Sequence, residues 1–189
     1  MPDIRKRLDA ILPEINKKGF IESAGQGGEI GFYIFDYDPR DELLIRSHVP
    51  HLIRQLSYPG SEIHPLELDL YALMLEVFED KRVTLTQLEE VEAKQGRERL
   101  FKIIKPMLKP ENFIDIIMKK AAGHNLVFIT GVGKVWPFVR SHTILNNLHS
   151  VLDTIPVILF FPGAYDQREL MLFKKFKDDN YYRAFKLVD

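Results

Sequence analysis

The segment LVFITGVGKVWPFVRS, residues 126–141, contains the chain's clearest candidate for chemistry. It reads as a buried strand that runs into a glycine-rich turn and then a helix, which is the layout of a phosphate-binding loop. Such a loop requires the pattern G-x-x-x-x-G-K-[ST], and Gly133 and Lys134 supply its G-K pair. The first glycine of the pattern is replaced by Phe128 and the magnesium-binding hydroxyl by Val135. ATP hydrolysis is therefore disfavoured.

Anion binding by this turn stays open as one alternative. Glycines at Gly131 and Gly133 would let backbone amides approach an anion closely, and Lys134 would add a positive charge. The protein would then be a nucleotide-binding protein with a degenerate phosphate-binding loop. The other interpretation is that the glycines make a tight strand-to-helix turn and nothing more.

Two further segments are expected to lie beside this turn. If the strands are parallel, the loops that follow them meet outside their carboxyl ends, where open α/β sheets bind ligands. These loops are Asp36-Tyr37-Asp38, Gly131–Lys134 and Pro162–Tyr165. The carboxylates of Asp36 and Asp38 could hold a divalent metal, but Asp38 followed by a proline is also a typical helix cap. We predict the cap, and no metal or cofactor.

No nucleophile or metal motif is complete elsewhere. Arg140 and His142 are predicted to lie on the helix after the glycine turn, where Arg140 could pair with an anion or a carboxylate. His142 and His149 share a helix face without a carboxylate at metal-binding spacing, and no serine lies in a G-x-S-x-G elbow. We therefore predict no catalytic residues.

The aromatic and charged residues near the C-terminus are candidates for a protein interface. Tyrosine and arginine are enriched at the energetic centres of interfaces, which favours Tyr182 and Arg183, together with Tyr37, Arg140, His142 and Tyr165, as contact residues. The same region is locally basic, but Asp178 and Asp179 offset its charge. Direct DNA binding is therefore disfavoured, as is also indicated by the formal net charge of −1 for the whole chain.

Composition limits the protein class. Of the 189 residues, 46% are hydrophobic and none is cysteine, which excludes disulfides, zinc-thiolate sites and a cysteine nucleophile. The first residues carry charges within their apolar spacing, unlike a signal peptide, and no apolar run has the roughly 18 residues of a membrane span. We expect a cytoplasmic protein with one domain over residues 1–189.

The elements that would position these residues form an α/β pattern. The chain should contain an amphipathic helix at 3–18, strands at 30–35, 126–130 and 155–161, and a last strand within 181–188. The segment near 66–70 should be a second strand or a short strand-to-helix junction. A helix with Pro50 inside it should kink or split, and Thr86 with Glu89 has a capping-box pattern. Apolar runs without alternation indicate strands buried on both faces. We predict a Rossmann-like, mostly parallel sheet flanked by helices, with a helical insertion at about 71–122.

Four blocks together resemble the BrxB family of BREX (bacteriophage exclusion) defence systems of bacteria and archaea. They are IFDYDPRDEL at 34–43, FITGVGKVWPFVRSHTILNNL at 128–148, PVILFFPGAYDQRELMLF at 156–173 and DDNYYRAFKLV at 178–188. They occur in the family's order and span nearly the whole chain, whereas the middle third resembles the family only in its helical character.

The resemblance implies a non-catalytic accessory subunit, an adaptor within an antiviral defence complex. The expected partner is PglZ, the phosphatase-superfamily component, and the assembly also includes a DNA methyltransferase and a large ATPase. The family has no established catalytic residues to transfer to this sequence, so the interface residues named above are predictions from residue type alone.

Overall fold

A computed structural model describes residues 3–22, 31–148, 152, 154–177 and 184–189; at residues 141 and 142 it describes the backbone alone. Its centre is a mostly parallel sheet, as predicted from the apolar runs. The strands are β1 (Phe32–Tyr37), β2 (Pro65–Asp69), β3 (Leu126–Thr130), β4 (Val157–Tyr165), β5 (Leu170–Leu172), β6 (Phe176–Lys177) and β7 (Phe185–Lys186). The helices are α1 (Ile4–Ile15), α2 (Glu42–Leu56), α3 (Leu70–Asp80), α4 (Leu85–Gln95), α5 (Arg97–Met107), α6 (Pro110–Ala121), α7 (Val132–Val135) and α8 (Ser141–Leu148).

Five strands run parallel in the order β2-β3-β4-β1-β7, and β5 and β6 extend the far end of β4 in antiparallel pairing. Strands β3 and β4 are parallel neighbours joined through α7 and α8, so the strands predicted at 126–130 and 155–161 belong to one β-α-β unit. The chain leaves β1 through α2 and crosses to β2 at the opposite edge. The α/β, Rossmann-like class predicted from the sequence is confirmed.

Side chains on the two faces of the sheet enter separate cores. Val127, Ile129 and Leu159 face a core made with α3, α6 and α8. Phe128 and Phe160 face the other core, which α1 and α2 complete. Burial on both faces explains why β3 and β4 read as continuous apolar runs.

The middle third is helical, as expected, and α4 and α5 attach to it lightly. Within α4 only Leu88 is buried, and within α5 only Ile104. Helix α4 begins at a capping box formed by Thr84 and Gln87, so the box predicted at Thr86 and Glu89 is wrong by two residues. In the described part of the chain, no helix has the length and apolar character needed to cross a membrane.

Three other boundaries correct the sequence prediction. Pro162–Tyr165 is not a loop, because β4 continues to Tyr165 by pairing with β5. The helix predicted to carry Arg140 is α8, which begins at Ser141, so Arg140 precedes it. The short helix α7 directly follows Gly131, and a cis peptide bond joins Trp136 to Pro137 between α7 and α8. Helix α2 is not split, since Pro50 lies on its exposed side, where the carbonyl freed by the missing N–H meets water.

Candidate functional site

The carboxyl ends of β1, β3 and β4 meet at one edge of the sheet, as the sequence predicted. A crevice of about 240 Å³ opens there between the segment after β1 and the glycine turn after β3. We call it the edge crevice; its walls are formed by Pro39, Glu42, Arg46, Gly133, Lys134, Pro162 and Phe173. It is the place where an open α/β sheet usually binds a ligand.

The glycines of the turn are required by contacts within the protein. Gly131 has a left-handed φ of 75°, and a Cβ added there would lie 2.6 Å from Oδ1 of Asp69. A Cβ at Gly133 would lie 3.0 Å from the ring of Phe173. Both positions are therefore explained by close packing against neighbouring side chains, without a ligand.

The ammonium group of Lys134 forms an ion pair within the protein, although the residue lies in the wall of the crevice. Its Nζ pairs with Oδ2 of Asp69, the last residue of β2. Asp69 also caps α3, since its Oδ1 accepts from the N–H groups of Tyr71 (2.8 Å) and Ala72 (3.2 Å). A phosphate bound at this turn would have to compete with Asp69 for Lys134, which weakens the alternative of a degenerate nucleotide loop.

Asp36 lies in β1, not in a turn, and it is buried against Arg7 of α1. The guanidinium donates to Asp36 Oδ1 (2.9 Å), to the Asp36 carbonyl (2.6 Å) and to the Val188 carbonyl (3.2 Å). Its carbon Cζ lies 4.7 Å from the centre of the Phe35 ring. The other carboxylate oxygen accepts from the Tyr165 N–H at 3.2 Å. Asp36 thus holds together α1, β1 and β4.

Asp38 forms the predicted cap of the turn Pro39–Asp41, accepting from the N–H of Arg40 at 3.1 Å. Side-chain hydrogen bonds from Arg40 and then from Lys174 hold the pKa of Asp38 well below its usual range. Among the described residues, no group of three or more His, Asp or Glu side chains is arranged to hold a metal ion.

Two of the tyrosines predicted for an interface are buried. Tyr37 is 2% exposed, and its hydroxyl donates to Oε2 of Glu42 at 2.6 Å. Burial, with the hydrogen bond to Glu42 as a second cause, raises its pKa. Tyr165 is 4% exposed and donates to the Ala184 carbonyl at 2.8 Å. Neither ring is therefore available at the protein surface.

The remaining candidates have different positions. Arg140 is exposed and stands just before α8, where its carbonyl accepts from the N–H of Thr143 at 3.1 Å. The side chain of His142 and the whole of Tyr182 and Arg183 lie outside the described residues.

A second hollow, of about 290 Å³, lies beside the edge crevice. We call it the aromatic cleft; its walls include Trp136, Arg140, Phe161, Lys175, Phe176 and Lys177. The ring centres of Trp136 and Phe176 lie 4.3 Å apart, and the two ring planes make an angle of 31°. Phe173, which packs edge-on against Trp136 and lines the edge crevice, separates the two hollows. Lys177 pairs with Glu169 at 2.9 Å.

Sequence reasoning missed Arg7, Asp69 and the aromatic cleft. The burial of Arg7 could have been predicted, because it is three residues after Ile4 and four before Ile11, on the apolar face of α1. Asp69 had a weaker signal, as a cap residue between a strand and a helix. Nothing in the sequence pairs Trp136 with Phe176, since only the β5–β6 hairpin brings them together.

Comparison with known proteins adds the family. A family model described as "BREX protein BrxB" matches residues 66–187, nearly two thirds of the chain. The chain belongs to the BrxB family. A BREX protein BrxB of Bacillus cereus (strain H3081.97) is 45% identical over 193 residues, covering 100% of both chains. Another, from Escherichia coli O9:H4 (strain HS), is 34% identical over 190 residues, covering 99% of this chain and 92% of its own.

No solved structure matches the chain significantly. The resemblance predicted from four sequence blocks is confirmed by these relatives. As a BrxB protein, the chain has a role in a BREX defence system.

Proposed function

We propose that this BrxB protein is a non-catalytic adaptor of a cytoplasmic BREX complex and that its partner there is PglZ. The edge crevice supports an adaptor over an enzyme, because the ionisable groups at and behind it serve the fold, with the exposed Arg46 as the exception. Lys134 is paired with Asp69, Asp36 with Arg7, and Glu42 accepts from Tyr37. The ATPase and the methyltransferase of the system would be further partners within the same larger complex.

The observation that carries the proposal is an apolar hollow at the base of the helical insertion. It measures about 560 Å³ and lies where α3 turns into α4, lined by Leu75, Phe78, Glu79, Arg82, Val83, Thr84 and Leu85. Leu85 is 52% exposed at its rim. A concave apolar surface with few polar groups suits an apolar anchor from another protein.

The insertion around this hollow also exposes large apolar side chains. Phe101 of α5 is 37% exposed and Met118 of α6 is 52% exposed. Because α4 and α5 each bury a single residue, they contribute little to the core, and a role at the surface accounts for their presence.

Co-purification tests the proposal. The tagged chain, expressed with PglZ from its own operon, is expected to retain PglZ, and Leu85→Asp is expected to abolish retention by placing a charge at the hollow. Leu43→Asp is the matched control, since Leu43 is 75% exposed on α2, away from the insertion. Retention by the Leu85→Asp protein would exclude the hollow as the contact. Failure of the unmodified pair to co-purify at low salt, with both proteins soluble, would count against PglZ as the partner.

A further inference from the structure

We propose that the aromatic cleft binds a nucleotide unit, with its base against the rings of Phe176 and Trp136 and its phosphate beside Arg140 and Lys175. This site does not use Gly131, Gly133 or Lys134, although Val132 between them lies in its wall, and it is independent of the PglZ proposal.

The charge of the cleft selects an anion. Among the described residues, its lining contains Arg140, Lys175 and Lys177 and no carboxylate. Lys177 is held by Glu169. Within the described part of the chain, Arg140 and Lys175 form no ion pair, and both are exposed. Two cations are thus available at the rim, although the chain as a whole is balanced at −1. A guanidinium beside a lysine is a common arrangement for phosphate.

The aromatic rings favour a ligand that also has a planar base. Phe176 is 43% exposed although it is a large apolar side chain, and Trp136 lies against its ring. Stacking on an exposed ring stabilises a bound base and tolerates any base, because every base has a π face. A phosphate or a carboxylate alone would leave this ring unused. At about 290 Å³, the cleft is at the small end of ligand sites, which favours one nucleotide unit over a larger ligand.

Trp136 gives a direct readout, because it is the only tryptophan in the chain. Its fluorescence is recorded while the full-length protein is titrated at low salt with a short oligothymidylate, and in a parallel arm with free thymidine monophosphate. We expect saturable quenching that weakens as salt is added. Saturation by the oligomer alone assigns the site to single-stranded nucleic acid, and equal saturation by the monophosphate assigns it to a free nucleotide.

Variants test which residues carry the binding. The double change Arg140→Ala with Lys175→Ala, and separately Phe176→Ala, should each weaken binding about tenfold or more. The control Lys102→Ala with Lys119→Ala removes the same charge from exposed positions of the insertion and should leave binding unchanged. Lys134→Met should also leave it unchanged, which separates this cleft from the glycine turn. An unchanged thermal unfolding midpoint shows that each variant is folded.

Three results would overturn the proposal. The first is the absence of quenching at low salt. The second is an equal loss of binding in the control variant, which would indicate nonspecific attraction. The third is equally tight binding of a polyglutamate peptide with the same dependence on Arg140 and Lys175, which would assign the cleft to an acidic protein segment.

Discussion

The edge crevice and the aromatic cleft are neighbours that share the chain around Phe173, yet their charged groups are arranged differently. In the crevice, Lys134 is paired with Asp69, and Glu42 accepts a hydrogen bond from Tyr37. In the cleft, Arg140 and Lys175 are exposed, and no ion pair involves either of them in the described residues. The paired side chains at the crevice, which is the usual position for a ligand, thus connect strands and helices to one another. The hollow beside it has two exposed cations without an ion pair in the described residues, Arg140 and Lys175, whereas the crevice has one, Arg46.

The largest expected effect lies behind the crevice, at the buried pair of Arg7 and Asp36. Both side chains are 7% exposed, and removing one partner of such a pair leaves an uncompensated buried charge. Arg7→Ala should therefore lower the free energy of unfolding by about 3–5 kcal/mol. Arg5→Ala, on the exposed side of the same helix, should change it by less than about 0.5 kcal/mol. Urea unfolding followed by circular dichroism measures both, and equal losses would show that Asp36 does not depend on Arg7.

The next effect tests whether the glycine turn is shaped by Asp69. Gly131 and Gly123 both have positive φ, 75° and 82°, but a Cβ at Gly123 would meet nothing within 4 Å. Gly123→Ala should cost about 1–2 kcal/mol for the left-handed backbone alone. Gly131→Ala should cost a further ~1–3 kcal/mol, because Asp69 must move. The same unfolding assay compares them, and similar losses would mean that the contact with Asp69 adds nothing.

The smallest effect contrasts a paired lysine with an unpaired one. Lys134→Met should reduce stability by about 0.2–1 kcal/mol, since its partly exposed pair with Asp69 is lost. Lys175→Met should leave stability unchanged within error. Thermal unfolding of the two variants in low salt measures the difference. A larger loss from Lys175→Met would reverse the contrast between crevice and cleft.

The sequence predicted the layers of this fold because apolar runs and helical spacing report burial directly. Phe128 and Phe160 read as strand residues buried within a sheet, and they are. The end of β4 was predicted too early, because its last residues form a strand only by pairing with β5. Pairing between two segments cannot be inferred from the residue pattern of either segment alone. Trp136–Arg140 was predicted as helix from its apolar spacing, yet α7 ends at Val135 and α8 begins at Ser141. The side chains of Trp136, Val139 and Arg140 in the connection line the cleft.

The candidate site was predictable in place but not in role. Parallel strands fix where their carboxyl ends meet, so the edge itself followed from pattern. Whether Lys134 faces a ligand or a protein carboxylate depends on Asp69, 65 residues earlier in the chain. Residue type cannot distinguish these outcomes. The burial of Tyr37 and Tyr165 could not be predicted either, because it depends on hydrogen-bond partners for their hydroxyls. Those partners are Glu42 and the Ala184 carbonyl.

Asp69 has a consequence for how the family can diverge. One carboxylate caps α3, pairs with Lys134 and lies where a side chain at Gly131 would have to fit. A change at position 69 removes the partner of position 134 and the constraint on position 131 together. Across related sequences, these three positions should therefore be inherited as a set and covary, although α3–α6 separate the first from the other two.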